Sequence, residues 1–362
     1  MSRLLRVELR RLWARKVTRW ACAAVLVLVA LSTLVAYSTA RPPSAREVAD
    51  AQAAFASEQA MWEEEGEQWV ADCEADAEAQ DMTPQEWGCD QMAPSLENYL
   101  PPTQTFVPDA EQSEMMLGTG EGVPDADAGA AAIEEIRASV WNQWGGLGSL
   151  DDLAMLLVVL ALVVGVSFVT AEINSGSLGM WLTFEPRRRR VYWSKAAAAA
   201  IGTVPLVLVG FAVLVGGAYA AYASFGTLGD VTGATWAEVA AFTGRLVVAG
   251  AVLAAVGVAL GVLLKHAAAA VGVVGVVAWV CLAFGYASGE LQRWLPTTAL
   301  TAWLQGGSVF TIQNCAPAAD GTYECAPVDH VVTTAQGGLT LLGLAAVVTL
   351  VAIVVFRRRD VS

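Results

Sequence analysis

The sequence is poor in charge and nearly without histidine. Charged residues make up 15% of its 362 positions and the only imidazoles are His266 and His330, where ordinary soluble domains carry about 25% charge. With 56% hydrophobic residues and a mean hydropathy of +0.50, that shortage excludes an ordinary soluble globule and points to a membrane protein. Nothing reads G-x-x-x-x-G-K-[ST], so the chain does not hold a nucleoside triphosphate on a phosphate loop. H-E-x-x-H and G-x-S-x-G are missing too, and no other catalytic constellation is legible, which argues against an enzyme. The centres of the long apolar runs lack acids, against the expectation for a proton- or sodium-coupled carrier. No inverted repeat is legible.

What is present is long apolar runs. A bilayer core is about 30 Å thick and a helix rises about 1.5 Å per residue, so a span needs about 20 apolar residues. Six stretches qualify: Trp20–Tyr37, Leu150–Thr170, Ala196–Ala223, Val239–Leu264, Ala267–Ala287 and Ala335–Phe356. Lipid offers no partner to an open strand, so these are expected to be helices. The expected fold class is an all-α membrane protein, with six transmembrane helices and a mostly helical extracellular insertion (38–149) between the first and second. The first run is expected to be a retained anchor rather than a cleaved signal. "GVALG", Gly257–Gly261, suits close helix packing but alone says little about dimerisation.

The charges, net -14, are segregated. Of 21 basic residues, seven stand in the leader before Trp20 (Arg3, Arg6, Arg10, Arg11, Arg15, Lys16 and Arg19) and five in 171–195 (Arg187 to Arg190 and Lys195). Lys265 lies between the fourth and fifth runs, and Arg357 to Arg359 open the tail, 357–362. The positive-inside rule puts these sixteen in the cytoplasm, which makes the chain a multi-pass protein of the plasma membrane with both termini inside. Arg41, Arg46, Arg137, Arg245 and Arg293 remain on the other side. Arg245, two turns into the fourth run, is expected to snorkel or to pair with Glu238.

On the outer side, Ser44–Gln80 reads as a helix, Pro84–Pro108 as loop, and Ala128–Trp144 as helix again, with Trp141 and Trp144 at the membrane interface. The acids of this segment could capture a cationic peptide or ion, or be a solvated face; their spread along the helix favours the second. Cys22 and Cys281 fall in spans and read as packing residues. Cys73 with Cys89, and Cys315 with Cys325, are local pairs on the oxidising side and are expected to form disulfides. For the second pair the alternative is a metal site with His330, at a spacing that matches no standard zinc pattern. Residues 288–334 read as a broken hairpin and loop. Within them Leu291–Gln313, interrupted by Pro296 and Gly306-Gly307, is expected to form a re-entrant or interfacial helical hairpin, with Glu290 and Arg293 able to pair.

The stretch 171–195, "AEINSGSLGMWLTFEPRRRRVYWSK", holds more pattern than a tether needs. Glu172–Leu182 is expected as a short helix along the membrane surface, Ile173, Leu178, Trp181 and Leu182 facing inward and Pro186 ending it. Tyr192, Trp193 and Lys195 would anchor the third span. Positive-inside topology accounts for the arginines, but not for Glu172, Gly176 and Pro186.

Those residues carry a resemblance. Glu172, Gly176, Ser177, Leu178, Leu182, Pro186, Arg187 and Lys195 resemble the first cytoplasmic loop of ABC-2 type transporter permeases, and residues 1–19 resemble the family's amphipathic connecting helix. The resemblance implies a membrane-spanning subunit that exports a hydrophobic or amphipathic substrate on energy from a separate cytoplasmic ABC ATPase. It implies that the loop docks on that ATPase, with Lys265 and His266 as a second coupling loop. A second permease copy or a paralogue would complete the pathway within the lipid bilayer. The chain itself would be no enzyme and hold no cofactor or metal; ATP and magnesium would belong to the ATPase, and nucleic acid is no expected partner. The alternative is a non-transporting scaffold or mechanotransmission protein, coupled to an ATPase and an extracellular partner.

Overall fold

The computed structural model describes residues 2–80, 82–100, 104–108, 123–124, 129–184, 187–285, 289–317 and 323–358. They fall into two compact units, Met1–Ala36 with Thr105–Ser362, and Tyr37–Gln104.

Among the described residues, α1 (Ser2–Ala14) leads into the first of six helices long and apolar enough to cross a bilayer: α2 (Lys16–Ala40), α6 (Leu150–Asn174), α8 (Arg188–Phe225), α9 (Gly233–Leu264), α10 (Ala267–Phe284) and α12 (Thr334–Arg358). Each of the six expected spans falls largely within one of these helices. The tightest crossing is α6 on α9. A Cβ on Gly165 would come within 2.1 Å of the Ala254 carbonyl oxygen, and one on Gly257 within 2.3 Å of the Leu162 oxygen. The small residues of "GVALG" therefore serve contact within the chain, where van der Waals approach of backbones replaces the absent hydrophobic drive. Gly261 lies beside Thr170, so α6 and α9 end at the same end of the bundle. That end also receives α1, whose Glu8 meets Lys195 near the start of α8 and whose Leu12 packs on Gly202 about two turns further on; it is called the leader end below. Apolar side chains of α2, α10 and α12, such as Leu34, Val276 and Leu350, are exposed, as lipid-facing positions should be.

The opposite end corrects the all-α expectation. β2 (Gly307–Pro317) and β3 (Tyr323–Thr333) form an antiparallel hairpin with Phe310 opposite His330 and Cys315 opposite Cys325, and β1 (Val123–Pro124) adds in parallel to β3. The expected helical hairpin over Leu291–Gln313 shrinks to a 3-10 turn, Gly289–Trp294, and α11 (Pro296–Gln305). Pro296 starts α11 because its missing N–H is one of the unpaired donors of a first turn. Gly306 (φ +100°) and Gly307 (φ +155°) end it. Beyond them Val309, Phe310, Thr311 and Ile312, with Val331 and Val332 across, are β-branched or aromatic and pack better on a pleated surface. Glu290 and Arg293 do pair, at 2.6 Å. Cys315 and Cys325 are bonded to each other, so they are not free ligands to share a metal with His330, whose ring stacks on Phe310. Asp329, fully buried, accepts from Arg137 at 2.7 Å and from Thr311 at 2.6 Å, which ties the sheet to α5 (Ala130–Ala138).

The helix expected over Ala128–Trp144 stops at Ala138, where Ser139 turns extended (φ -60°, ψ 138°). Trp141 then enters the core, 4% exposed and stacked on Phe242 at 4.0 Å. It is no interfacial tryptophan; Trp144 is exposed. Phe106 is buried between Tyr219 and Tyr222, so the segment from Thr105 belongs with the helices rather than with a separate insertion.

The smaller unit is built on α3 (Ala45–Ala79). A capping box opens it, with Ser44 accepting from the Glu47 N–H while the Glu47 carboxylate accepts from the Ser44 N–H at 2.7 Å. These bonds, together with Arg41, hold the Glu47 carboxyl below its usual pKa. The Cys73–Cys89 disulfide joins α3 to the 3-10 turn after α4 (Pro84–Trp87). Tyr99 donates to Glu58, which raises the phenol's pKa, and its ring meets Phe55 edge-on at 6.0 Å. Glu63, Glu64 and Glu65 are exposed.

Candidate functional site at the leader end

α1 is an amphipathic helix with one acid. Glu8 and Leu12, four residues apart, share a face of α1, and Arg15 directly follows its end. Leu12 is 1% exposed and so is Glu8, while Arg6, Arg10 and Arg11 are exposed. The helix breaks at Arg15 before α2 begins, and the Thr18 hydroxyl caps the break by donating to the Leu12 carbonyl at 2.6 Å. Arg15 thereby turns inward. Its Nη2 donates to Glu172 Oε1 at 2.7 Å and its Nη1 to the Ser167 carbonyl at 3.2 Å.

Glu172 is 5% exposed and Lys195 2%. Lys195 Nζ lies 2.5 Å from Glu172 Oε2, off the hydrogen-bonding direction, and donates to Glu8 Oε1 and Oε2 at 3.1 and 3.2 Å. Arg15 and Lys195 both stand over the Phe168 ring, at 4.9 and 5.0 Å from its centre. Two acids and two bases thus cancel inside the fold and join α1, α6 and α8 at one point. Charges out of water survive only when so paired, and removing one partner leaves another uncompensated.

The helix expected over Glu172–Leu182 along the membrane surface begins later. The structure instead puts Glu172 and Ile173 in the last turn of α6. A turn at Ser175-Gly176 follows, with Gly176 at φ +68°, and α7 (Ser177–Phe184) starts afterwards. A glycine suits that φ because a Cβ is disfavoured there. The hydroxyls of Ser175 and Ser177 lie 2.9 Å apart and both reach the Glu172 carbonyl at 3.4 Å. Leu178 points inward, 2% exposed, and Met180 outward, 68% exposed. The backbone at Leu182 is helical; its side chain and that of Trp181, and Pro186 altogether, lie outside the described residues.

Arg187 is exposed just before α8, and Arg188 donates to the Phe356 carbonyl in the last turn of α12 at 3.1 Å, where a cation complements the helix dipole. Tyr192 is buried with Lys195, so of the three anchors expected at the start of the third span only Trp193 is exposed. Lys265 and His266, both exposed, form the two-residue turn from α9 to α10, Lys265 in the left-handed region at φ 60°. Between α1 and α7 a cleft of ≈ 710 Å³ opens, lined by Arg11, Arg15, Glu172, Ser175, Ser177 and Met180 among others. Sequence reasoning missed Glu8 and Arg15 as site residues. The signal was the lone acid on the apolar face of a basic helix.

This geometry defines a helical membrane protein whose leader, second span and third span are locked together beside a short amphipathic turn. A family model described as ABC-2 family transporter protein matches residues 4–361. The chain belongs to that family. No curated protein and no solved structure matches it.

Proposed function

We propose that the chain is the permease subunit of an ABC transporter and that a separate cytoplasmic ATPase docks at the leader end. Membership of the ABC-2 family carries the first part. The second rests on the open cleft between α1 and α7, floored by Arg15 and Glu172. Exposed Met180 lines it, Arg187, Lys265 and His266 are exposed at the same end, and Gly176, Ser177 and Leu178 shape α7 for the contact. Glu172 is a transmitting residue in this reading: movement of α7 reaches α6 through it, and α1 and α8 through Arg15 and Lys195. Such a unit moves as a rigid body between two states.

The basic leader end faces the cytoplasm in this account, and both termini with it. The Tyr37–Gln104 unit and the sheet face outward, where disulfides persist. The transported substrate is hydrophobic or amphipathic, moves outward, and passes along a pathway shared with a second copy or a paralogue. ATP and magnesium act in the ATPase. Co-purification of the tagged chain from its own membrane tests the reading. A phosphate-loop ATPase should accompany it at close to one per permease, and Met180→Glu should release it while the permease still elutes as one peak. Recovery of the permease with no such ATPase overturns it.

A further inference from the structure

Away from the leader end, α9, α10, α11 and α12 enclose a groove of ≈ 410 Å³ whose walls are almost wholly hydrocarbon, Val252, Val256, Val277, Leu300, Leu341 and Ala345 among them. Val277 and its neighbour Val273 are half exposed, as are Leu342 and Leu344 on the opposite wall, so the groove opens sideways. Along α9 it runs from Val248 to Leu260, about 18 Å at 1.5 Å per residue. That matches one leaflet of a hydrocarbon core about 30 Å thick.

The rim nearest the sheet carries a cation. Arg245 stands one turn before Val248. Its carbonyl accepts from the indole of Trp303, itself a wall of the groove, at 2.9 Å. Its guanidinium lies against Gly306: a Cβ on that glycine would fall 2.8 Å from Nη1. Of the two alternatives expected for Arg245, a direct contact with Glu238 is not formed; its Nε donates to the Ala241 carbonyl at 3.3 Å, and Glu238 acts on it only from a distance. Glu238 accepts from the Ser139 hydroxyl and the Val140 N–H, and among the described residues no carboxylate lies within 4.0 Å of Arg245.

We infer that this groove holds one acyl chain of an anionic bilayer lipid, with Arg245 on its headgroup. The occupant we assign is a chain, because the walls are hydrocarbon while a cation stands at the rim; a helix of a second copy is the competing occupant, and the cross-linking arm of the test separates the two. The cation at the rim selects a headgroup charge, since its N–H groups can bond a phosphate oxygen in two places. This site is independent of the permease reading and of the docking cleft.

The test uses the full chain in nanodiscs of phosphatidylcholine with phosphatidylglycerol, each lipid in turn spin-labelled on its chain, and reads the immobilised fraction. No ATPase or transport is involved, so its failure leaves the permease reading untouched, and the reverse. Phosphatidylglycerol should be held over phosphatidylcholine by on the order of tenfold. Arg245→Gln should bring the two lipids level. Val252→Phe, or Ala345→Leu from the other wall, should lower the immobilised fraction of both lipids while the protein still elutes as one peak. Equal retention in the parent protein, or a preference that survives Arg245→Gln, overturns the headgroup assignment. An immobilised fraction unmoved by either filling variant overturns the chain assignment. Efficient disulfide-linked dimers from Val277→Cys would give the groove to a second copy and overturn it as well.

Discussion

Replacing Lys195 by methionine keeps the length of the side chain and removes its charge. Lys195 is the only cation within 4.0 Å of Glu8 among the described residues, whereas Glu172 keeps Arg15 at 2.7 Å. The loss therefore falls on Glu8, which is 1% exposed and cannot reach water without moving α1. Breaking one side of a buried pair costs about 3–5 kcal/mol, which in a chain of this size lowers the melting temperature by on the order of ten degrees. Removing the acid as well should restore part of that. Lys195→Met with Glu8→Gln leaves Arg15 and Glu172 as a closed pair and should show a coupling of about 1–3 kcal/mol against the single variants. Thermal unfolding of the four proteins in nanodiscs is the assay. Melting of Lys195→Met at the parent temperature, or simple addition of the two single effects, would refute the cluster as an energetic unit.

Other expectations follow from single contacts. Gly257→Val must displace the Leu162 carbonyl, 2.3 Å from the new Cβ; the protein should melt markedly lower, whereas Gly272→Val, facing open space in α10, should not, and equal melting would reject the close α6–α9 crossing. Opening the Cys73–Cys89 bridge, which spans a sequence separation of 16, removes a constraint worth about 3 kcal/mol; reductant should speed proteolysis of the Tyr37–Gln104 unit, and free thiols at both positions in the untreated protein would contradict the pairing. Glu47 has a lowered folded pKa, so its contribution is complete above the ordinary carboxylate pKa and is lost as the pH falls through the lowered value. Exchange protection of the first-turn amides of α3, corrected for intrinsic rate, should fall on acidification, and Glu47→Gln should abolish that dependence; an unchanged profile would remove the capping box.

The spans were legible because twenty apolar residues in lipid admit one backbone solution. The stretch 171–195 was legible as a pattern, since Gly176 takes a positive φ and Leu178 is buried, as their types suggest. Glu172 and Lys195 were singled out, but their burial was not foreseen, because it depends on Glu8 and Arg15, 157 or more residues away in sequence. A one-dimensional reading sees a carboxylate in a basic loop as exposed. The hairpin was missed for a related reason: Val309–Ile312 is a short apolar run, which periodicity cannot assign to strand or helix without its partner, and that partner lies in Val328–Val331. Trp141 looked like a belt residue until Phe242, from another helix, supplied its stacking surface.

The central claim is that the ATPase sits on α7 at the leader end. A photo-crosslinking amino acid at Met180, 68% exposed, tests it most directly when compared with one at Trp144, 72% exposed at the sheet end. Irradiated native membranes should yield a permease–ATPase adduct from position 180 and none from position 144. An adduct from position 144, or none from position 180 while the ATPase still co-purifies, would contradict the account.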